Sequence, residues 1–127
     1  LLTCSAILFV SPALAATYSY EQILKASNQA DGNRFGGGVA LDGNLMVIGA
    51  PHSGEGKGQA YVFQRSGGSW SEIAILNSSD LADDDYFGSS VAISGKSVVV
   101  GGHGAASGGP ARGQSYVSHD VTSCSRL

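Results

Sequence analysis

An all-β repeat fold is what this sequence predicts, and three observations predict it. Glycine is abundant, at 19 residues, while proline is scarce, at 3, and no G-X-Y period runs through the chain. The glycines therefore serve tight turns and close backbone approach, not helix interiors or a collagen strand. The chain is 43% hydrophobic and only 13% charged, a balance that excludes disorder, which goes with few apolar residues and many charges. The sequence also repeats itself at an offset of about 52 residues, each copy breaking into short apolar runs between turn residues. The net charge of −3 is spread thinly with no basic stripe, so nucleic acid is not an expected partner.

The first segment, residues 1–16, carries no charge, is apolar from Ala6 to Val10, and ends in Ser11-Pro12-Ala13-Leu14-Ala15-Ala16. The helix-breaking proline followed by an A-x-A pattern reads as the end of a secretory signal peptide, cleaved after Ala15 or Ala16. It is too short to span a bilayer. It lacks an initiator Met and a basic start, so an N-terminally truncated signal is expected. Cys4 would leave with it, and Cys124 alone cannot build a disulfide framework.

Residues 17–29 read as a lead-in strand from a preceding repeat, because Tyr18, Ser19, Ile23, Leu24 and Ser27 fall on Trp70, Ser71, Ile75, Leu76 and Ser79. Residues 30–81 form the first full copy. Gly37 to Leu41 is its first strand, Asp42-Gly43 a hairpin turn, and Asn44 to Gly49 the second strand. The run Leu45-Met46-Val47-Ile48 predicts burial on both faces. Pro51 to Lys57 is a polar loop, Gln59 to Gln64 the third strand, Ser66-Gly67-Gly68-Ser69 a turn, and Trp70 to Leu76 the fourth strand. Residues 82–117 repeat this pattern incompletely, with three extra residues between the second and third strands. Residues 118–127 form a divergent tail with no fourth strand. Four short antiparallel strands per fifty-residue period match one blade of a β-propeller. The expected fold is therefore a partial β-propeller of about two four-stranded antiparallel blades, the second incomplete.

Phe35-Gly36-Gly37-Gly38-Val39-Ala40, followed by Val47-Ile48-Gly49-Ala50-Pro51, resembles the FG-GAP repeat, which is named for those two ends. Phe87-Gly88 and Gly101-Gly102 resemble the same motif without its Ala-Pro. The resemblance covers residues 18 to 117 and implies a propeller like the head of integrin α subunits, used for extracellular recognition. It further implies that each Phe packs between blades and each following Gly lets backbones approach. Integrin-type propellers carry calcium loops between the first two strands. Here Leu41-Asp42-Gly43-Asn44 and Ile93-Ser94-Gly95-Lys96 are too short and too poor in carboxylates for that role. No cofactor is therefore expected.

Asp83, Asp84 and Asp85 are the candidate metal ligands by density alone, and a solvated turn explains them equally. Gly95-Lys96-Ser97 lacks the upstream glycine and the helix of a phosphate-binding loop. His52, His103 and His119 form no sequence cluster, and no G-x-S-x-G nucleophile motif is present, so an enzyme is not expected. Asn77-Ser78-Ser79 is an N-glycosylation sequon, making Asn77 the candidate modification site of a secreted glycoprotein. Trp70 reads as a packing residue in preference to a surface hot spot.

The functional expectation is a secreted, extracellular or cell-surface module that recognises a protein or glycan, or mediates adhesion, through the loops at 51–58 and 102–112. Two alternatives are a fragment of a propeller enzyme whose catalytic loops lie elsewhere, and a structural surface or matrix repeat. Fewer than two full blades leave open faces, so the chain expressed alone is expected to fold poorly or self-associate.

Overall fold

The computed structural model describes residues 21–104 and 113–122. The signal-peptide reading of residues 1–16, Cys4, Cys124 and most of the 102–112 loop lie outside them. Among the described residues there are seven strands and no helix. The first sheet has strands β1 (Gly38–Asp42), β2 (Leu45–Ala50), β3 (Gln59–Ser66) and β4 (Ser69–Leu76), antiparallel and in chain order. The second has β5 (Ser90–Ser94), β6 (Ser97–Gly102) and β7 (Gln114–Ser118), again in chain order. Two unclosed meander sheets of this kind are the partial propeller that the repeat predicts.

Register follows from the pattern. Val39 pairs with Ile48, and Val47 with Val62. In the second copy Val91 pairs with Val100, and Val99 with Val117. The β3–β4 ladder shifts between Val62 and Phe63, passing over Ile73. Such an extra residue bends the outer strand and increases its twist.

The two sheets stack, and the stacking is the core. One face of the first sheet presents Leu45, Val47, Ala60, Val62 and Leu76. Against it pack Val98 and Val100 of the second sheet, Phe87 from the linker into β5 and Val121 after β7, with Val91, Ile93 and Tyr116 at the margin. The opposite face of the first sheet carries Ile48, Ala50, Tyr61 and Phe63, covered by Ala26, Leu24, Phe35 and Trp70. Burial of β2 on both faces is thus observed. Trp70 is half-buried within this second cluster, as packing requires.

One expectation is corrected. Residues 21–29 do not form a strand. Among the described residues no backbone ladder joins this segment to β4, the outer strand of the first sheet. It is tied to the first sheet by side chains instead. The Gln22 amide donates to the Trp70 carbonyl at 3.0 Å and accepts from the Trp70 N–H at 2.8 Å. Ser27 donates both its N–H, at 2.9 Å, and its hydroxyl, at 2.6 Å, to the Glu72 carboxylate. After β7, residues 119–122 likewise form no strand, so the second blade holds three strands among the described residues.

Candidate functional site

Two places gather functional side chains: the junction between the sheets, and a cleft beside it. At the junction Phe87 is fully buried and meets Tyr116 edge-on, with ring centroids 5.1 Å apart. Phe35 and Tyr61 hold the same relation in the first copy at 5.4 Å. The glycine after each Phe donates its N–H to the glycine one residue before the end of the second strand of its own copy. Gly36 donates to the Gly49 carbonyl at 3.0 Å, and Gly88 to the Gly101 carbonyl at 3.1 Å.

Gly49 and Gly88 also face each other across the junction. A Cβ placed on Gly49 would lie 1.9 Å from the Gly88 carbonyl oxygen, and one on Gly88 only 2.4 Å from the Gln59 carbonyl oxygen. Gly88 moreover has a φ of +92°, which L side chains rarely adopt. Next to this contact the 51–58 loop runs alongside the linker that leads into β5. The Tyr86 and Phe87 N–H groups donate to the Gly56 and Lys57 carbonyls at 2.7 and 3.0 Å.

The cleft opens where this loop meets the segments that precede β1 and follow β4. Its volume is about 380 Å³, within the range of roughly 300–1,000 Å³ usual for small-molecule sites. The first segment contributes Asn28, Ala30 and Asn33; the loop and the start of β3 contribute Ser53, Lys57 and Gln59; the second segment contributes Asn77, Ser78 and Leu81. A hydrogen-bond network braces one wall. The Tyr61 hydroxyl lies 2.8 Å from both Asn28 Oδ1 and Gln59 Oε1, and the Asn28 amide donates to Gln59 Oε1 at 3.1 Å. Burial holds the Tyr61 phenol above its usual pKa of 10.0, outweighing the lowering by its polar neighbours Ser53 and Asn28. Ser53 is 2% exposed, and its Oγ, buried beside that hydroxyl, makes no hydrogen bond of regular geometry.

A model of the FG-GAP repeat matches this sequence twice, over residues 18–63 and 70–118. The chain belongs to the FG-GAP repeat family. A search of curated proteins returned no match. The FG-GAP motif residues Phe35, Gly36, Gly49, Ala50, Pro51, Phe87, Gly88 and Gly101 are those that build the blade and its junction. Ala50 is buried in the second cluster, and Pro51 follows the last residue of β2.

The remaining sequence-predicted residues scatter around the FG-GAP frame. Asp83, Asp84 and Asp85 take three separate partners. Asp83 lies 3.5 Å from Lys57 Nζ, Asp84 accepts from the Tyr86 hydroxyl at 3.0 Å, and Asp85 accepts from the Ala82 N–H at 2.7 Å. Among the described residues no three potential ligands gather around one point. His52 and His103, ungrouped in the sequence, flank Tyr86 with ring centroids 4.9 and 5.2 Å away. His119 is elsewhere, its Nδ1 3.1 Å from Ser97 Oγ. Asn77 is exposed at the rim of the cleft. No helix among the described residues is long and apolar enough to cross a membrane.

Sequence reasoning singled out the 51–58 loop but missed Asn28 and Gln59. The signal that could have found them is the recurrence of Gln two positions before Tyr, at Gln59-Ala60-Tyr61 and Gln114-Ser115-Tyr116. In both copies the tyrosine hydroxyl reaches that glutamine, at 2.8 and 2.5 Å.

Proposed function

We propose that this FG-GAP chain is a secreted, non-catalytic recognition module that binds an extracellular protein or glycan through the cleft beside the 51–58 loop. The observation that carries the reading is the cleft itself: polar side chains from three segments around a space of ligand size, braced from beneath by Tyr61. Loops held by a rigid repeat scaffold are the usual bearers of binding function.

The test uses the fluorescently labelled chain on arrays of glycans and of extracellular proteins. Saturable binding that is lost in the double variant Asn33→Ala/Gln59→Ala and kept in Val99→Asp, on the far sheet face, is the expected result. Binding to neither array, or binding indifferent to the cleft variant, overturns the reading.

A second reading, a structural repeat that assembles through its blades, is favoured by one observation. Val39 and Leu41 are each 58% exposed, whereas their counterparts Val91 and Ile93 pack against the neighbouring sheet. Val99 and Val117 are exposed where the first blade buries Val47 and Val62.

A further inference from the structure

We propose that the cleft takes a neutral saccharide unit; this rests on the recognition reading and adds the class of ligand. Four carboxamides line the cleft, from Asn28, Asn33, Gln59 and Asn77. Each carboxamide offers two N–H donors and one acceptor oxygen. Sugar hydroxyls need donors and acceptors side by side, and amides supply both without a net charge.

The charge balance selects the neutral class. Lys57 is the single ionisable side chain of the lining, and it is paired with Asp83 at 3.5 Å. A carboxylated sugar or a phosphate calls for charge-assisted donors that are not already engaged. A peptide strand is disfavoured by the same surroundings. Apart from Gln59, at the start of β3, the lining comes from loop segments, so no strand edge is on offer for pairing. The apolar lining is limited to Ala30 and Leu81 with the glycines, which suits the C–H face of a sugar ring better than a hydrophobic anchor side chain.

The site is also arranged beforehand. Gln59 Oε1 accepts from Asn28 Nδ2 and lies within reach of the Tyr61 hydroxyl. That engagement commits the oxygen to the protein and leaves the Nε2 donors for a ligand. Side chains fixed before binding lose less entropy on binding. The second copy differs at the position of Asn28. Asp80 stands where Asn28 stands, and the Ser78 hydroxyl bonds its carboxylate, which lowers its pKa and keeps it ionised. The neutral site therefore belongs to the first blade.

The experiment records side-chain amide ¹H–¹⁵N spectra of the full chain during titration with neutral di- and trisaccharides and, separately, with their uronic-acid analogues. Saturable shifts of the Asn28, Asn33, Gln59 and Asn77 amides with neutral sugars, at least tenfold weaker with the acids, are expected. Gln59→Glu keeps the acceptor for Asn28 and removes the donors, so it should weaken neutral-sugar binding at least tenfold while the remaining spectrum stays dispersed. Preference for the acids, shifts confined to other residues, or an unaffected Gln59→Glu overturns the proposal. Protein-array binding that depends on the cleft, with no sugar response, overturns the saccharide class and leaves the recognition reading standing. Failure of both arrays and of the titration removes both.

Discussion

Gly36 and Gly88 occupy the same place in two copies of one repeat, with φ values of +96° and +92°, and they differ in what surrounds them. Around Gly36 a Cβ would meet nothing within 4 Å, whereas around Gly88 it would meet the backbone of β2 and β3. The Phe beside each glycine differs in the same way. Phe87 is fully buried between two sheets, while Phe35 is half-buried under the segment that precedes β1. The contrast separates two jobs of the motif. The backbone turn and the glycine-to-glycine hydrogen bond belong to the single blade, since both copies make them. The tight glycine contact and the buried Phe belong to the junction, since among the described residues only Gly88 and Phe87 have another sheet packed against them.

The largest effect should come from the two phenylalanines. Phe87→Ala removes a ring from the centre of the inter-sheet core and should cost roughly 3–5 kcal/mol in urea unfolding, the usual range for a buried Phe. Phe35→Ala, at an incompletely covered site, should cost roughly half as much. Equal costs would mean that the junction does not dominate the stability of the chain.

The second comparison sets Gly49 against Gly101, which share a motif position. A Cβ on Gly49 strikes the carbonyl of Gly88, part of the backbone, whereas one on Gly101 strikes the Ser90 hydroxyl, which can rotate away. Gly49→Ala should therefore destabilise by about 1–3 kcal/mol or more through overpacking, and Gly101→Ala by about 0.5 kcal/mol or less. Chemical shifts of β5 and Tyr86 should move in the first variant and not in the second. Undocking of the second sheet would appear as new exposure of Val98 and Val100 to hydrogen exchange.

Much of this architecture was legible in the sequence. The strands lie within two residues of the expected positions because Gly43, Gly67, Gly68 and Gly95 punctuate the apolar runs, and all four have positive φ. The segment at 21–29 misled for a physical reason. Its residues match those of β4, but a strand needs a backbone partner, and here the Gln22 side chain, not a neighbouring backbone, takes the Trp70 N–H and carbonyl. The cleft was half-visible. Its 51–58 loop stood out as polar and glycine-rich, whereas Asn28 and Gln59 come from positions 31 residues apart and meet only through the Tyr61 network. His52 and His103 stand on corresponding loops of the two copies, one position apart in repeat register, but that both meet Tyr86 across the junction is seen only in the structure.

The smallest expected effect compares Tyr61, which anchors the network beneath the cleft, with its repeat counterpart Tyr116. Tyr61 and Tyr116 are both held above the usual phenol pKa of 10.0, each chiefly by burial, with Asp80 adding to the second. A folded-state pKa raised above the unfolded value means that the native chain holds the phenolic proton more tightly. The stabilisation is then complete below about pH 10 and is lost as pH rises through the folded-state values. Titration followed by tyrosinate absorbance should show these two groups ionising late together with Tyr86, whose hydroxyl is held by the Asp84 carboxylate, with urea stability falling over the same interval. Tyr116→Phe and Tyr61→Phe should each remove one late group. If only the Tyr116 group disappears late and Tyr61 titrates normally, the buried network beneath the cleft is more open to water than its geometry implies. The bracing of Asn28 and Gln59, on which prearranged binding depends, would then have to come from the ligand itself.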